Sequence, residues 1–314
     1  MNANAVETAR EAPLARTAHV RPLATLVRRE FWEHRMLWIT PLVIAALMIC
    51  GAAFGRMQFD AHREVLPLQA ARALFALAVW GFSVAQYFTM SLVLYLYAAE
   101  CLYAERRDRS ILFWKSMPVS DARTVLAKAL VALVIVPLGV YAITVVTGLI
   151  ASGIFFLRAS NGASFWDTRT WMRVEETSLV GLVIGTLWYA PITTYVMLLS
   201  AWARRNVHLW VFVPPLVAVF CEQLAFGTHH FSNALLYRLG PGSWMAGLQR
   251  SVERLFLGPG FNSAGAPAGP VNPQLLEGRM LLQVFTNIDL WLGLAVAAAF
   301  LFAAVRIRRY RDDT

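Results

Sequence analysis

The amino-acid sequence predicts an all-α integral membrane protein with six transmembrane helices. Of its 314 residues, 58% are hydrophobic and only 15% are charged, whereas about a quarter of the residues in a soluble domain are charged. The mean hydropathy is +0.53. Long uncharged runs alternate with segments that carry basic residues, which is typical of a chain that crosses a bilayer several times.

Six apolar stretches are long enough to span a membrane, which needs roughly 20 residues each. Four uncharged runs meet this length alone, whereas the fifth span must include Glu222 and the sixth must include Asp289. The predicted spans cover about residues 36–55, 73–99, 129–157, 177–203, 206–226 and 282–305. Together they predict a single membrane domain of residues 21–305.

The basic residues predict the orientation of these spans. With both termini in the cytoplasm, 18 of the 28 Lys and Arg residues lie in inner segments, as the positive-inside rule favours. Residues 1–20 are predicted to be a disordered cytoplasmic tail, and residues 306–314 a basic cytoplasmic tail. The net charge of +9 does not indicate a nucleic-acid partner, because the basic residues flank the spans and form no separate basic domain.

An amphipathic helix is predicted just before the first span. Within residues 22–35, apolar residues recur at helical spacing, and Arg28, Arg29 and Glu30 lie among them. Such a helix lies in the inner membrane interface. Two compatible roles remain open, which are a topological anchor and a lever that contacts a cytoplasmic partner.

The segment between the second and third spans, residues 104–128, is rich in charge and has the pattern of a cytoplasmic helix. A helix held between two spans can be moved by a soluble partner, and aromatic residues are favoured at interfaces. The candidate partner-binding residues are Glu105, Arg106, Arg107, Asp108, Arg109, Phe113 and Trp114. The alternative is a membrane-facing inner helix, with the aromatic side chains in lipid and the charges in water.

A long outer region precedes the last span. Its first part is amphipathic and aromatic, and it predicts two short helices that lie in the outer interface or dip into it. Residues 258–273 are half Gly and Pro, which predicts a loop. His229 and His230 are interpreted as surface residues, with a metal-binding or pH-sensing role as the alternative.

Polar side chains inside the predicted spans are candidates for a substrate pathway. They are Gln86, Thr193, Tyr195, Glu222 and Asp289. The alternative for the two acids is pairing with an arginine of the outer region. The alternative for the other three is a hydrogen bond between helices.

No motif for catalysis is present in the sequence. A P-loop requires Gly-Lys before Ser or Thr, but Lys115 and Lys128 are the only lysines and follow Trp114 and Ala127. H-E-x-x-H and G-x-S-x-G sequences are also absent. We therefore expect no enzymatic activity, cofactor or metal in this chain, and an integral membrane enzyme is a third reading without a supporting motif.

The order of these segments resembles the permeases of the type-2 (ABC-2) ATP-binding cassette exporters. That family has an inner amphipathic helix, six spans with both termini in the cytoplasm, and a coupling helix between the second and third spans. A tight turn joins its fourth and fifth spans, as residues 203–206 do here. Re-entrant outer helices precede its sixth span. The resemblance covers the chain from about residue 20 onward.

The coupling motif of that family is also matched in part. The matching residues are Glu105, Arg106, Ser110, Pro118, Ser120 and Lys128. Arg109 stands where the family has glycine, and Leu112 where it has glutamate.

The resemblance implies a permease subunit that forms a dimer with itself or with a related permease. Two ABC ATP-binding subunits would dock below it and would bind the ATP and magnesium. Their closure would move the coupling and amphipathic helices and switch a central route lined by the second and fifth spans. The expected action is export of an amphiphilic or hydrophobic substrate across a bacterial inner membrane. The alternative is an autonomous secondary transporter or channel, with Glu222 or Asp289 as its ion site.

Overall fold

A computed structural model describes residues 22–55, 68–108, 110, 120–158, 168–240 and 283–310, and all regular structure in these residues is helical. Six helices are long and apolar enough to cross a membrane. The predicted all-α architecture and the number of membrane-length apolar helices are thus confirmed for the described residues. The predicted N-terminal tail, the outer loop and most of the segment before Ser120 lie outside the described residues. Of the predicted C-terminal tail, residues 306–310 continue the last helix, and residues 311–314 are outside the description.

The first span follows directly on the predicted amphipathic helix. Helix α1 is Pro22–Glu33 and helix α2, the first span, is Met36–Phe54. The rings of Phe31 and Trp38 stack across the short turn, with their centroids 4.5 Å apart. This contact holds α1 at a fixed angle to the span.

The second span is longer than its apolar run. Helix α3 is Leu68–Glu100, and the short helix α4, Tyr103–Arg107, follows it. The apolar run begins only at Ala73, but backbone hydrogen bonds extend a helix regardless of the polarity of its side chains. The start of α4 is held by Ser200, whose hydroxyl accepts hydrogen bonds from the backbone N–H groups of Leu102 and Tyr103.

The third span contains a π-helical turn. Helix α5, Asp121–Leu130, leads through the π turn Val131–Ile135 into helix α6, Val136–Arg158. In this turn the Val136 N–H donates to the Val131 carbonyl, five residues earlier. Pro137 follows at once, and because proline has no N–H, an undisturbed α-helix would leave one carbonyl unpaired there.

The fourth and fifth spans form a hairpin with a tight turn, as predicted. Helix α7 is Thr168–Trp202 and helix α8 is Val207–Phe226. The turn is closed by Asn206, which has a left-handed backbone with φ of 51°, a conformation that asparagine tolerates better than most residues. Within the described part of the chain α8 has few neighbours, and of its own residues only Val207 and Val211 are buried.

Helix α9, His230–Leu239, is the only described helix of the long region before the last span. It packs against α7, where the Trp188 indole N–H donates to the Arg238 carbonyl at 3.3 Å. The last span is helix α10, Ile288–Tyr310, and a short 3-10 turn, Gln283–Thr286, precedes it. Helix α10 packs mainly on α7, while α3 packs on α7 and α6, and α2 packs on α6.

Candidate functional site

Four charged side chains meet in the interior at the end of the bundle that carries α1. They come from four helices, as Glu30 on α1, Glu105 on α4, Lys128 on α5 and Arg308 on α10. Their exposed fractions are 2%, 5%, 0% and 5%. Charged residues are almost never buried to this degree unless they are paired. With Arg29 and Asp121 they form what we call the ionic cluster.

Lys128 joins two of the acids. Its Nζ atom lies 2.6 Å from Glu30 Oε1 and 3.2 Å from Glu105 Oε1. The second oxygen of Glu30 accepts a hydrogen bond of 2.9 Å from the Tyr97 hydroxyl on α3. Glu30 therefore has partners for both of its carboxylate oxygens.

Glu105 is the centre of the ionic cluster. Its Oε2 lies 2.6 Å from Arg308 Nη1, and its Oε1 lies 3.3 Å from Arg29 Nη2, in addition to the contact with Lys128. Arg308 also reaches α5, because its Nε lies 3.0 Å from Asp121 Oδ1. A single carboxylate thus links α1, α5 and α10 to the short helix α4.

The charges of the ionic cluster balance. Three cations face three carboxylates, and loss of one partner would leave another charge buried without compensation. Breaking a buried ion pair in this way costs about 3–5 kcal/mol. The cluster therefore ties four helix ends into one unit that resists separation.

His34 lies beside the ionic cluster at the start of α2. Its Nε2 atom is 3.8 Å from Glu30 Oε2, and its ring packs edge-on against the Tyr97 ring. Burial lowers the pKa of His34 below its usual 6.5, against the opposing effect of Glu30. His34 is therefore neutral at neutral pH.

Beside the ionic cluster, Glu30, Glu33 and His34 place ligand atoms within 4.8 Å of one another. Lys128 already pairs with Glu30, and Arg29 pairs with Glu33. Two of the three ligands are thus neutralised by protein cations.

Local sequence explains how α5 presents its part of the cluster. Ser120 caps the start of this helix, because its hydroxyl accepts a hydrogen bond from the Arg123 N–H, as is typical of an N-cap serine. Thr124, Val125 and Lys128 are all buried, and Lys128 follows the other two by four and three residues, which puts it on the same face of the helix. In the sequence Lys128 was matched only to the coupling motif, and its partners 98 and 23 residues away along the chain were not visible.

The predicted partner-binding residues divide into buried and exposed sets. Glu105 is used inside the ionic cluster, and Arg106 donates to the carbonyls of Ser200 and Ala203 at 2.6 and 2.8 Å. Arg107 and Asp108 are exposed and pair with each other at 3.1 Å. Arg28 is exposed as well, whereas Arg109, Phe113 and Trp114 lie outside the described residues. Whether any of these residues contacts a partner stays a prediction.

Two of the predicted pathway residues form hydrogen bonds between helices. Gln86 is fully buried on α3, and its amide donates to the Pro41 carbonyl on α2 at 3.3 Å. The Tyr195 hydroxyl on α7 donates to the Val211 carbonyl on α8 at 3.4 Å. Thr193 instead lines a groove between α3 and α7.

The two predicted intramembrane acids are both near α9. Glu222 accepts hydrogen bonds from the Phe231 N–H at 2.9 Å and from the Thr228 hydroxyl at 3.0 Å, so it holds the start of α9. Asp289 lies in the first turn of α10, and Arg238 donates to its backbone carbonyl at 3.0 Å. Beside them, His229 and His230 are exposed.

The groove between α3 and α7 has a volume of about 540 Å³ and is lined by residues from 83–98 of α3 and from 177–196 of α7. Its walls are mainly apolar, and a few hydroxyl groups face it. The polar residues of the groove include Ser83, Tyr87, Ser91, Ser178, Thr186 and Thr193.

Sequence reasoning missed one buried acid, Glu175 on α7, which is 5% exposed. Its position just before the apolar run that begins at Thr177, next to Glu176, made it part of a predicted outer segment. Helix α7 begins earlier, at Thr168, and carries Glu175 into the bundle.

The chain matches no family model, no curated protein and no solved structure. The interpretation of this site therefore depends on its own geometry and on the order of the helices.

Proposed function

We propose that this chain is the membrane-spanning permease subunit of an ATP-driven transporter of the ABC-2 type. In this proposal a separate subunit hydrolyses ATP, with its magnesium, and the permease exports an amphiphilic or hydrophobic substrate across a bacterial inner membrane. The observation that carries the proposal is the ionic cluster. It joins α1 and α4, the two elements that such a partner would move, to the ends of the third and sixth spans.

The ionic cluster can transmit a displacement of α1 or α4 to the third and sixth spans. If a partner displaces α1, Glu30 must move with it, and separation from Lys128 would leave both charges buried and unpaired. The lower-energy response is for α5 to follow. Since α5 continues through the π turn into α6, motion of the interfacial helix becomes motion of the third span. Glu105 and Arg308 transmit displacement of α4 to α10 in the same way.

The exposed charges beside the cluster are suited to bind the ATP-binding subunit. Arg28 on α1 and the Arg107–Asp108 pair after α4 face solvent next to the buried ionic groups. Exposed charges of this kind select and orient a partner more than they add affinity. In this proposal they form the docking surface, while Glu105 acts behind it as a positioning residue.

A second permease copy is also part of the proposal. The fifth span, α8, has large apolar side chains exposed along its length, including Phe212, Leu216, Phe220 and Leu224. The small number of contacts that α8 makes with the other described helices supports a second copy or a related permease that packs against it in the bilayer.

The experiment that tests the proposal is gentle purification from native membranes, followed by identification of stoichiometric partners. We expect a P-loop ATPase to accompany the wild-type chain and to be lost from an Arg107→Ala/Asp108→Ala variant. Arg169→Ala is the matched control, because Arg169 is exposed at the start of α7, far along the chain from the cluster. Purification of an active chain without an ATPase would contradict the proposal.

A second variant separates docking from coupling. Glu105→Gln removes the central charge of the cluster but leaves Arg107 and Asp108 in place. We expect this variant to retain the ATPase and its hydrolysis of ATP but to lose transport. Normal transport by a correctly folded Glu105→Gln variant would show that the ionic cluster does not couple ATP hydrolysis to transport.

The alternative, an autonomous secondary transporter, is favoured by one observation. Such a protein needs an ionisable group inside the membrane, and Glu175 is buried on the fourth span, unlike the two acids near α9. Transport that follows a proton gradient in vesicles without ATP would favour this alternative.

A further inference from the structure

Glu175 on α7 is a buried acid without a partner among the described residues. It is 5% exposed, and neither of its carboxylate oxygens forms a hydrogen bond within that part of the chain. The Tyr141 hydroxyl of α6 donates to the backbone carbonyl of Glu175 at 3.2 Å and leaves the carboxylate untouched. Ionisable groups inside membrane spans are rare and mark functional sites by default.

The hydroxyl groups of the neighbouring helix α6 already donate hydrogen bonds to backbone carbonyls of the same helix. Thr144 donates to the Val140 carbonyl, Thr147 to the Ile143 carbonyl, and Ser152 to the Gly148 carbonyl, all within α6. These bonds explain why the carboxylate stays unpaired in a region with many hydroxyls. Gly148 adds space, because a Cβ atom at that position would lie in contact with Glu175 Oε1 at 3.7 Å.

The groove between α3 and α7 begins on α7 at Thr177, two residues after Glu175, which is not itself a lining residue. Ser178 and Leu182 lie one and two turns beyond Glu175 on the same face of α7, and both line the groove. Tyr87 lines it from α3, and its hydroxyl is buried without a hydrogen-bond partner among the described residues. The groove thus combines a long apolar wall with an unpaired phenol, and the unpaired acid lies just beyond its lining residues on α7.

We propose that this groove binds a cationic amphiphile, with its apolar chain between α3 and α7 and its positively charged group at the end of the groove next to Glu175. A cation would supply the missing partner of a carboxylate that is otherwise costly to keep ionised in an apolar setting. An anionic head group would be repelled at the same place. The inference rests on the proposed export of an amphiphile, and it narrows the substrate to amphiphiles with a positive charge.

The first test measures binding of three probes with the same alkyl chain to the full-length protein in phosphatidylcholine nanodiscs. The probes are decyltrimethylammonium, decyl maltoside and decyl sulfate, and protein-free nanodiscs provide the blank. We expect the cation to bind best, and Glu175→Gln to weaken its binding by about tenfold, as loss of a close charge pair in a poorly solvated site implies. Binding of the uncharged maltoside should not change.

Two control variants are available in the chain. Glu176→Gln removes the neighbouring acid, which is exposed, and it should bind all three probes as the wild type does. Gly181→Leu places a side chain in the groove, where a Cβ atom meets nothing within 4 Å, and it should weaken binding of all three probes. Gly153→Leu, equally unobstructed but outside the groove, is its control.

Equal binding of the ammonium and the sulfate by the wild type would overturn the inference, as would unchanged cation binding by Glu175→Gln. If Glu175→Gln abolished proton-driven transport but did not change cation binding, Glu175 would instead be a proton-binding residue. These outcomes are independent of the proposed function, because the binding assay contains no ATPase. Charge-selective binding by a chain that has no ATPase partner would keep the inference and move the function to an autonomous transporter.

Discussion

Lys128 on α5 lies 2.6 Å from Glu30 on α1, and neither side chain is more than 3% exposed. The two residues are 98 positions apart in the sequence, so their pairing closes the end of the bundle on the interfacial helix. Removing one charge from such a pair is far more damaging than replacing both, because the remaining charge stays buried. This asymmetry makes the pair testable.

Lys128→Met should lower the free energy of unfolding by about 3–5 kcal/mol, because it leaves Glu30 and Glu105 facing one another without their shared cation. The measurement is the unfolding free energy by steric trapping in mixed micelles. The double variant Lys128→Met/Glu30→Gln should be less destabilised than Lys128→Met alone. Additive losses would show that the two side chains do not interact.

The acids of the cluster should differ in importance according to their burial. Glu105→Gln should destabilise the protein by about 3 kcal/mol or more, because Glu105 is buried between three cations. Asp121→Asn should cost only about 0–1 kcal/mol, because the Asp121 side chain is 26% exposed and water screens its charge. Thermal unfolding midpoints of the two variants would give the order, and equal midpoints would contradict it.

His34 should make the stability of the protein fall in mild acid. Because burial lowers its pKa below the usual 6.5, the unfolded chain binds a proton more readily than the folded chain. The contribution of neutral His34 is complete above pH 6.5 and is lost as the pH falls through the folded pKa. His34→Asn should therefore flatten the decline of the unfolding midpoint between about pH 7.5 and about pH 5. If the decline were unchanged in His34→Asn, the loss of stability in acid would come from the titration of other groups.

Gly139 should not tolerate a side chain. A Cβ atom there would overlap the Trp38 ring, and that ring cannot swing aside without losing its stack on Phe31. Gly139→Val should therefore destabilise the packing of α2 on α6 by about 1–3 kcal/mol. Gly153→Val, in the same helix with open space around its Cβ, is the control. Equal unfolding midpoints for the two variants would show that Trp38 moves freely.

Glu222 should fix the start of α9. Its carboxylate accepts the N–H of Phe231, one of the backbone donors that the first turn of a helix leaves unpaired. Glu222→Ala should speed hydrogen exchange across the first turn of α9, whereas Gln223→Ala, at an exposed neighbouring site, should not. Unchanged exchange in Glu222→Ala would show that the packing of Trp188 on Arg238 is sufficient to hold α9.

Hydrophobicity alone was enough to predict the six spans, because an uncharged run of span length has few alternatives to a membrane helix. The ends of the helices were predicted less well. Helix α7 begins nine residues before the apolar run at Thr177, since charged residues that find space or partners extend a helix past the bilayer core. Because of this extension, the burial of Glu175 was not predicted from the sequence.

The ionic cluster was predictable only in part. Glu30 and Glu105 were singled out, but as residues that face a partner, since charge in a predicted interfacial segment is usually solvated. Their burial depends on Lys128 and Arg308, which come from other helices. A single sequence contains no signal for such contacts, because side chains distant along the chain are brought together only by packing.

The π turn Val131–Ile135 sets the phase between the two halves of the third span. Each residue advances an α-helix by about 100°, and a π turn holds one residue more than the α-helical turn it replaces. Lys128, before the turn, thereby faces α1, while Gly139, after it, faces Trp38. Deletion of one residue here would rotate one contact away from its partner while the other stayed in place. The length of this stretch is therefore under a stricter constraint than the identity of its side chains, as a scan of single-residue deletions and substitutions across it would show.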